Sequence, residues 1–477
     1  MKLETLNRRR FLQTGTLAAT SLSVFTRTPS AAERKPPNII LILTDDQRWD
    51  TLGCMGNRII QTPNLDHIAQ TGMICANNFC TTSICMTSRA SILTGQYSRT
   101  HQINRFDQPL SAEQFACTYP AVLRRSGYYT GFIGKWGLGG EIPEKQFDYF
   151  EGFGGQGQYF QEIDGKQVHL TQIIEDQTRE FLNQRSVEQP FCLSISTKAP
   201  HVQDGHPDPF RYDPRYKDLY ADDFIPPPHS ATPIHYDRQP EFIRNSEGRT
   251  RWEQRFSTEE QRLHSVRNYY RLITGVDRLV GTVLQTLEEK NLYDNTVIIY
   301  TSDNGFFLGE HGMAGKWLMY EESIRTPLIL HDPRVKETEK GQRRENITLN
   351  IDIAPTVLAL AGVEPPTQMQ GLPLFQKDKG WTEPRSRKDF FYEHPYNHNG
   401  KIPQSEGIRT HRWKYIHYPE YGHKYDQLFD LRYDRYEEFN LAGLEKYKET
   451  MDTLIQRRKE WVNALEQGKQ ADDLFTP

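Results

Sequence analysis

The stretch NIILILTDD, residues 38–46, decides the fold class. Its apolar, β-branched run is continuous instead of alternating, which is typical of a strand buried on both faces of a parallel sheet. The run ends in Asp45 and Asp46, so two carboxylates follow the carboxyl end of this strand. Ligands of open α/β sheets bind at that edge. The stretch therefore predicts a parallel sheet and a site beside it.

Further stretches repeat this pattern of a buried strand followed by polar residues. They are YYTGFI before Gly134-Lys135, FCLSIS (191–196) before Lys198 and His201, and TVIIYT before Ser302-Asp303-Asn304. Helix signals lie between them: Thr62-Pro63 opens one helix, Thr118 opens another, and a long amphipathic helix begins at Ser257 with Glu260 completing a capping box. This alternation predicts an α/β fold with a mostly parallel sheet between helix layers.

Two regions depart from the alternation. Residues 201–256 are rich in Pro, His, Tyr and charge, and they predict a long insertion loop over the active face, with disorder as the alternative. A linker at 376–388 is followed by short strands, as in EGIRTHRWKYIHY, and by a charged helix near 444–467. We therefore expect a catalytic domain at 33–380 and a smaller α+β domain with an antiparallel sheet at 381–477.

The first 32 residues resemble a twin-arginine export signal. Arg8 and Arg9 precede Phe11-Leu12, a mildly apolar stretch and small residues at 30–32. A basic disordered arm is the alternative. The signal predicts export to the periplasm or beyond, with the twin-arginine translocase as a partner. We expect no stable membrane anchor, because no later run reaches the length of about 20 apolar residues that spans a bilayer.

Composition and cysteine spacing narrow the function classes. The chain has 58 Lys and Arg against 62 Asp and Glu, so no basic excess indicates a nucleic-acid partner. None of the six cysteines forms a CxxC pair, which argues against structural zinc. Since the twin-arginine route carries proteins that have already folded in the cytoplasm, we expect no disulfide framework despite export.

Oxygen ligands follow two of the predicted strands. Asp45-Asp46 and Asp303-Asn304 supply three carboxylates and one amide oxygen at matching strand ends, a donor set suited to Ca²⁺ or Mg²⁺. The absence of histidine among these four argues against zinc. Either pair alone is more often a turn or a helix cap. The two pairs together predict a metal site at the sheet edge.

Positive groups are predicted at the same edge. If CMTSRASIL is helical, Cys85 lies at the helix N-terminus, which favours an anion, and Arg89 lies on the same face. Lys135, His201 and Lys316 each follow a predicted strand or the metal loop, in GKWGLG, KAPH and HGMAGKW. Together they predict a cavity for a tetrahedral oxyanion. Taken singly, a structural cysteine and solvated lysines are the alternatives.

As a set, these motifs resemble the formylglycine-dependent type I sulfatases of the alkaline-phosphatase superfamily. CMTSRASILTG is similar to the family signature Cys-x-Pro/Ala-Ser-Arg followed by Leu-Thr-Gly. TDDQ, GKWGLG, APH, SDNG, LGEHG and GIRTHRWKYI fall in the family's order, so the resemblance covers nearly all of the mature chain. It implies an alkaline-phosphatase-like α/β domain followed by a small C-terminal α+β domain.

The resemblance also implies a mechanism. A maturation enzyme would oxidise Cys85 to Cα-formylglycine, whose hydrate would attack the sulfate sulfur with help from a calcium ion. The matching metal ligands are Asp45, Asp46, Cys85, Asp303 and Asn304. Arg89 would orient the hydrate, and Lys135 and Lys316 would neutralise the sulfate oxygens. His201 would donate a proton to the leaving group.

Three positions stand apart from the family pattern or lack a role. Thr87 replaces the usual Pro or Ala that helps the maturation enzyme recognise the segment. Gly137 replaces a common histidine that assists the hydrate, so either another group takes over or the second step proceeds differently; an enlarged pocket there is a further alternative. His311 in LGEHG has no role that we can assign, and a structural one is the alternative.

Substrate preference lies outside these motifs. An exported chain with 24 Tyr and 24 Phe favours a sulfated polysaccharide or its oligosaccharides. We expect sugar contacts from 201–256 and from YEHPYNHNGK (392–401), with His394 and His398 as candidates; solvated loop histidines are the alternative. Two other functions stay open: a phosphonate or phosphodiester hydrolase of the same superfamily, and a non-catalytic glycan-binding relative.

Overall fold

The main sheet is centred on the stretch that predicted it. The computed structural model of the protein describes residues 35–384 and 387–469. The first strand, Asn38–Asp45, is buried along its whole length. It pairs in parallel with strands on both sides, as the continuous apolar run predicts.

Strands and helices alternate through most of the described chain. The first eight strands are β1 (Asn38–Asp45), β2 (Met73–Phe79), β3 (Tyr129–Lys135), β4 (Tyr149–Phe153), β5 (Phe160–Ile163), β6 (Lys166–His169), β7 (Phe191–Pro200) and β8 (Thr296–Ser302). The later strands are β9 (Phe307–Leu308), β10 (Ala314–Gly315), β11 (Arg325–Thr326), β12 (Leu328–His331), β13 (Gln342–Leu349), β14 (Phe375–Gln376), β15 (Gly380–Trp381), β16 (Asp389–His394), β17 (Ser405–Thr410), β18 (Trp413–His417) and β19 (Gln427–Asp430).

The α-helices complete the layers. They are α1 (Pro63–Thr71), α2 (Cys85–Thr94), α3 (Ser98–His101), α4 (Ala112–Ala116), α5 (Tyr119–Arg125), α6 (Leu170–Asn183), α7 (Pro233–Asp237), α8 (Glu241–Arg244), α9 (Glu247–Arg255), α10 (Glu259–Glu289), α11 (Glu321–Ile324), α12 (Ile353–Leu360) and α13 (Lys448–Glu466).

The strand order of the main sheet is β11-β2-β12-β8-β1-β7-β3-β4, with β13 paired to β2. Five strands, β8-β1-β7-β3-β4, run parallel to one another, and β12 pairs antiparallel with both β8 and β2. The prediction of a mostly parallel sheet is therefore confirmed. Because the parallel strands end together, the residues that follow β1, β3, β7 and β8 meet at one edge.

Side chains on alternate faces of β1 enter two different cores. Ile40 and Ile42 pack with α1, α6 and α10, whereas Ile39 and Leu41 pack with α2, α5 and α12. Successive strand residues point to opposite faces, so one apolar strand supplies both layers. This is the helix-sheet-helix arrangement that the sequence predicted.

The long helix α10 begins one residue later than predicted. The hydroxyl of Thr258, and not that of Ser257, accepts a hydrogen bond from the backbone N–H of Gln261. Ser257 instead donates to the side chain of Gln261. The predicted capping box with Glu260 is therefore wrong, because the capping position is shifted by one residue.

The prediction of a loop over residues 201–256 is wrong in part, since the segment contains the helices α7, α8 and α9. Pro233 is accommodated in the first turn of α7, and Arg251 pairs with Glu247 one turn earlier in α9. Helix α9 packs beside β10, close to the loop that carries Lys316.

The C-terminal region is a second, smaller sheet covered by one helix. Strands β16-β17-β18-β19 pair antiparallel in sequence order. Trp461 and Leu465 of α13 pack with Tyr392 and Ile408 of this sheet. The predicted antiparallel sheet and charged helix are confirmed, and the exact boundary near residue 380 stays a prediction.

The predicted export signal, residues 1–32, lies outside the described residues. Among the residues that are described, no helix is both long enough and apolar enough to cross a membrane.

Candidate active site

The paired oxygen ligands meet where β1 and β8 end. Thr44 lies opposite Ser302 in the parallel register, so Asp45-Asp46 and Asp303-Asn304 leave the sheet side by side. The backbone N–H of Asp46 donates to Asp303 Oδ1 over 3.1 Å, and Asn304 Nδ2 donates to Asp46 Oδ1 over 2.7 Å. The four side chains are buried and converge as predicted.

This group fits a hard divalent cation. The buried Oδ1 atom of Asn304 accepts no hydrogen bond, which is costly unless another partner binds it. Burial and the neighbouring Asp45 raise the pKa of Asp303 to about 7, so the carboxylates crowd one another. Asp45, Asp46, Cys85 and His201 each bring one donor atom within 4.8 Å of the others and could hold a metal ion.

Cys85 is the first residue of α2 and is buried beside this group. Its Sγ atom lies 2.7 Å from Lys316 Nζ and 3.3 Å from Asp45 Oδ1. Burial, followed by the charge of Asp45, raises the pKa of the thiol to about 12. The helix N-terminus favours an anion, but in the unmodified thiol burial outweighs that effect.

Arg89 lies one helical turn after Cys85 and is held from three sides. Its Nε atom donates to Asp303 Oδ2 over 2.9 Å, and Nη1 donates to Ser196 Oγ over 2.5 Å and to the carbonyl of Lys135 over 3.1 Å. These bonds fix the guanidinium between β3, β7 and β8. Arg89 is therefore a rigid positive charge beside Cys85.

The two predicted lysines both reach the carboxylates. Lys135 Nζ contacts Asp45, and Lys316 Nζ contacts Asp46. Burial opposes the charged form of Lys316, but the neighbouring Asp46 and Cys85 outweigh it and raise its pKa. Lys135 also donates to Gln156 Oε1 over 2.7 Å. Both ammonium groups thus lie beside the donor set.

His201 directs one ring nitrogen toward the site. Its Nδ1 atom lies 2.6 Å from the carbonyl oxygen of Val202, and since a carbonyl only accepts, Nδ1 carries the proton. The Nε2 atom then faces Asp46, with 3.5 Å between Nε2 and Oδ2. Burial lowers the pKa of His201 well below its usual range.

The structure explains what surrounds Gly137 and Thr87. A Cβ atom on Gly137 would lie 2.6 Å from Cδ of Arg89, and the φ angle of Gly137 is +77°. The space is therefore occupied by the Arg89 side chain, and the expectation of an enlarged pocket there is wrong. Thr87 is buried in α2 and donates to the carbonyl of Ile103 over 2.9 Å.

The two candidate sugar-binding histidines lie in different environments. His394 ends β16, is fully buried and has no well-formed hydrogen bond at either ring nitrogen. Burial, with a smaller contribution from the charge of Lys316, lowers the pKa of His394 to about 3. His398 is exposed and contacts Tyr396. The structure therefore places His394 within the electrostatic influence of Lys316, whereas His398 lies at the surface.

His311 is buried next to the site without entering it. Its backbone N–H donates to the carbonyl of Ser230, and its ring packs 4.7 Å, between ring centroids, from Tyr320. Its φ angle of +56° is in the left-handed region, within the turn between β9 and β10. These contacts favour the structural role that was weighed for it.

Sequence reasoning missed three residues of the site. Ser196 accepts from Arg89, Gln156 accepts from Lys135, and Lys198 is buried on β7 two residues beyond Ser196. Lys198 and Ser196 are part of the strand pattern that located His201, so the period-two alternation on β7 was an available signal. Gln156 lies in the glycine-rich FGGQGQ, which carries no periodic signal.

Comparisons with known proteins agree with this geometry. A family model described as Sulfatase matches residues 37–363, and one described as N-sulphoglucosamine sulphohydrolase, C-terminal matches residues 309–464. A relative from Bacteroides thetaiotaomicron, an N-acetylglucosamine-6-O-sulfatase, is 32% identical over 93% of this chain and 90% of its own length.

Solved structures share the fold. One, in complex with its substrate D-glucosamine-2-N,6-O-disulfate, has a TM-score of 0.75 and 28% identity, and covers 91% of this chain and 98% of that chain. A phosphonate monoester hydrolase of Agrobacterium radiobacter has a TM-score of 0.69 and 21% identity, covering 91% and 96%, and so shows the fold alone. With the match over residues 37–363, the chain belongs to the sulfatase family and is a sulfuric ester hydrolase.

Proposed function

We propose that the protein hydrolyses a sulfate ester of a carbohydrate, and that the ester is at O6 of a glucosamine residue. The names of two similar proteins support the sugar: an N-acetylglucosamine-6-O-sulfatase, and the structure bound to D-glucosamine-2-N,6-O-disulfate. The reaction type is supported by the convergence of positive groups on one buried nucleophile position, residue 85.

That convergence is the observation on which the proposal depends. Arg89, Lys135, Lys316 and His201 come from four different segments and approach Cys85 or the carboxylates beside it. A sulfate ester places negative charge on several oxygens, and fixed cations in a buried site stabilise that charge more strongly than water does. No such concentration of cations is needed to pack a core.

Two groups would complete the site. Asp45, Asp46, Asp303, Asn304 and residue 85 would hold Ca²⁺, and Cys85 would carry the formylglycine made by a maturation enzyme. The unpartnered Oδ1 atom of Asn304 and the crowded carboxylates are the features that fit the ion. When bound, calcium polarises oxygen, and hydrated formylglycine offers a nucleophilic oxygen that no ordinary side chain supplies.

The remaining residues orient the reactants and move a proton. Arg89 is fixed by Asp303 and Ser196, and it would hold the side chain at position 85 in one orientation. Lys135 and Lys316 would neutralise the sulfate oxygens. His201, with Nδ1–H bonded to a carbonyl, would take up a second proton on Nε2 when the negative charge of the sulfate offsets the burial that lowers its pKa, and it would pass that proton to the sugar oxygen as it leaves.

The cellular route is part of the proposal. The maturation enzyme would act on the unfolded chain in the cytoplasm, before the folded protein crosses the membrane through the twin-arginine translocase. Arg8 and Arg9 support this route, as do the small residues at 30–32. Export would bring the enzyme to sulfated oligosaccharides outside the cytoplasm.

The test is a panel of esters offered to the purified, matured enzyme. It contains glucosamine 6-O-sulfate, N-acetylglucosamine 6-O-sulfate, a 4-O-sulfated hexosamine and a phosphodiester, with free sulfate or phosphate measured. We expect the 6-O-sulfates to give the highest kcat/KM. Preference for the 4-O-sulfate would overturn the position, and a large preference for the phosphodiester would overturn the function in favour of the superfamily alternative.

A further inference from the structure

Lys198 is a buried cation that the chemistry above does not use. It lies near the end of β7 and is 1% exposed. Within the described ranges, 35–384 and 387–469, it forms no ion pair with a carboxylate. Its Nζ atom instead donates to two backbone carbonyls, those of Gln156 over 2.9 Å and Val202 over 3.2 Å. It also lies 5.1 Å from the ring centroid of Tyr159.

An ammonium group in this environment destabilises the folded state. Burial, followed by the nearby charge of Lys135, lowers the pKa of Lys198 to about 8. A buried charge without a counter-ion is normally avoided. A neutral side chain of similar size would fill this space at a lower energetic cost. The buried charge therefore indicates a functional role for Lys198.

One of its two carbonyl partners holds His201. The carbonyl oxygen of Val202 accepts from Lys198 Nζ and also from His201 Nδ1, over 2.6 Å. The carbonyl of Lys198 itself accepts the backbone N–H of His201 over 2.9 Å. Lys198 therefore contacts the turn that carries His201 through its backbone carbonyl and through its side chain.

The other partner belongs to the residue that contacts Lys135. Gln156 gives its backbone carbonyl to Lys198 and its side-chain Oε1 to Lys135 Nζ, over 2.9 and 2.7 Å. The side chain of Lys198 thus connects the glycine-rich segment around Gln156 to the turn that carries His201. Tyr159 strengthens the link, because its hydroxyl donates to the carbonyl of His201 over 2.6 Å.

We propose that Lys198 is a positioning residue, which holds the proton-donating His201 in place through the carbonyl of Val202, with the carbonyl of Gln156 as its second anchor. This inference rests on the proposed function, since it presumes that His201 protonates a leaving alcohol. Lys198 itself touches neither the substrate nor the reacting atoms.

Comparing esters with different leaving groups distinguishes a positioning role of Lys198 from a role in protein stability alone. A sugar alcohol is a poor leaving group and needs a proton, whereas a nitrophenolate leaves without one. General acid catalysis contributes about 10²–10⁴-fold where it is needed. A displaced His201 therefore slows hydrolysis of a sugar sulfate far more than hydrolysis of 4-nitrophenyl sulfate.

The experiment compares Lys198→Met, Lys198→Arg and the wild type, all with the same maturation and calcium content. For Lys198→Met we expect kcat on glucosamine 6-O-sulfate to fall about 10²-fold and kcat on 4-nitrophenyl sulfate to fall less than about tenfold. Lys198→Arg keeps the charge and donors, and it should recover part of the loss. Leu182→Ala, a core change in α6, is the matched control for lost stability.

Equal losses on both esters in Lys198→Met, in proportion to its lower Tm, would reduce Lys198 to a structural residue and overturn the proposal. So would unchanged kinetics. Nitrogen NMR of His201 gives an answer that is independent of turnover: we expect the proton on Nδ1 in the wild type and a changed ring signal in Lys198→Met. An unchanged signal would overturn the proposal, whereas a wild type inactive on all sulfates would overturn only the proposed function.

Discussion

Two buried clusters in this protein both combine lysine and arginine with carboxylates, and they differ in how completely those groups pair with one another. At the sheet edge, Lys316 lies among Asp46, Asp45 and Cys85. Beneath the C-terminal sheet, Lys414 is fully buried between Glu321 and Glu437, with Nζ to oxygen distances of 2.9 and 2.6 Å.

The second cluster closes on itself. Arg409 adds a further ion pair to Glu321 at 3.3 Å, so two acids face two bases. The sheet-edge cluster adds an amide oxygen with no partner, on Asn304, and a thiol. The second cluster thus pairs its charges with one another within 3.3 Å, although Lys414 Nζ and Glu437 Oε1 lack good hydrogen-bond geometry. The sheet-edge cluster instead includes a buried amide oxygen with neither an ion-pair nor a hydrogen-bond partner, which fits a metal ligand.

The largest effect should come from the thiol itself. Cys85→Ala removes the thiol that the maturation enzyme would oxidise, so that no aldehyde can form at this position, and we expect kcat to fall by at least about 10³-fold while Tm stays close to the wild type. Ester hydrolysis and thermal unfolding measure the two quantities. Cys192→Ala, a buried cysteine on β7, is the control and should keep its activity. Comparable activity in both variants would remove Cys85 from the mechanism.

The second-largest loss of activity should follow removal of the metal ion. Chelation should abolish activity and lower Tm, because an ion bound only to the folded state stabilises it and crowded carboxylates lose their counter-charge. Added Ca²⁺ should restore both. In Asp303→Asn the response of Tm to chelation should be much smaller than in the wild type. A wild-type Tm and activity that ignore chelation would contradict the metal site.

Exchanging Lys316 or Lys414 for methionine tests whether the first cluster serves activity and the second serves stability. Lys316→Met should lower kcat/KM about 10²–10³-fold with little loss of stability when calcium is bound, since the ion still neutralises Asp46. Lys414→Met should cost about 3–5 kcal/mol of unfolding free energy, because it leaves Glu437 buried without its base and Glu321 without one of its two bases. The folded fraction of that variant should retain wild-type kinetics. Enzyme kinetics and denaturant unfolding of both variants measure these effects. Lost stability in Lys316→Met together with lost activity in Lys414→Met would contradict the account.

The smallest effect on activity should appear at the two histidines predicted from the sequence as candidate sugar contacts. His394→Ala should raise KM for glucosamine 6-O-sulfate about tenfold, the cost of losing roughly one hydrogen bond to the substrate. KM for 4-nitrophenyl sulfate should barely change. His398→Ala is the matched control, and its exposed ring predicts wild-type values for both esters. Equal effects of the two substitutions would place the sugar elsewhere.

Local sequence patterns predicted most of the fold and the centre of the site. The apolar run before Asp45 identified the central strand, and the repeated strand-end pattern placed Asp303, Lys135 and His201 at the same edge. These predictions succeeded because parallel strands in one sheet end together, so spacing along the chain becomes proximity in space.

What sequence could not provide was side-chain geometry. The strand pattern offered a signal for Lys198, but its carbonyl partners, and the contact of Gln156 with Lys135, are seen only in the structure. His394 and His398 are four residues apart in one motif, yet one is buried and the other exposed, because β16 ends between them. The helices in residues 201–256 were missed because polar, proline-containing sequence lacks the apolar stripe that reveals a packed helix.

The most direct test of the account is peptide mass spectrometry across residues 80–97 of active enzyme, produced together with a maturation enzyme. We predict that position 85 carries an aldehyde, trapped by a hydrazide reagent, and that the modified fraction rises in proportion to specific activity on a sulfate ester. Full activity in protein whose Cys85 is an unmodified thiol would contradict the central claim.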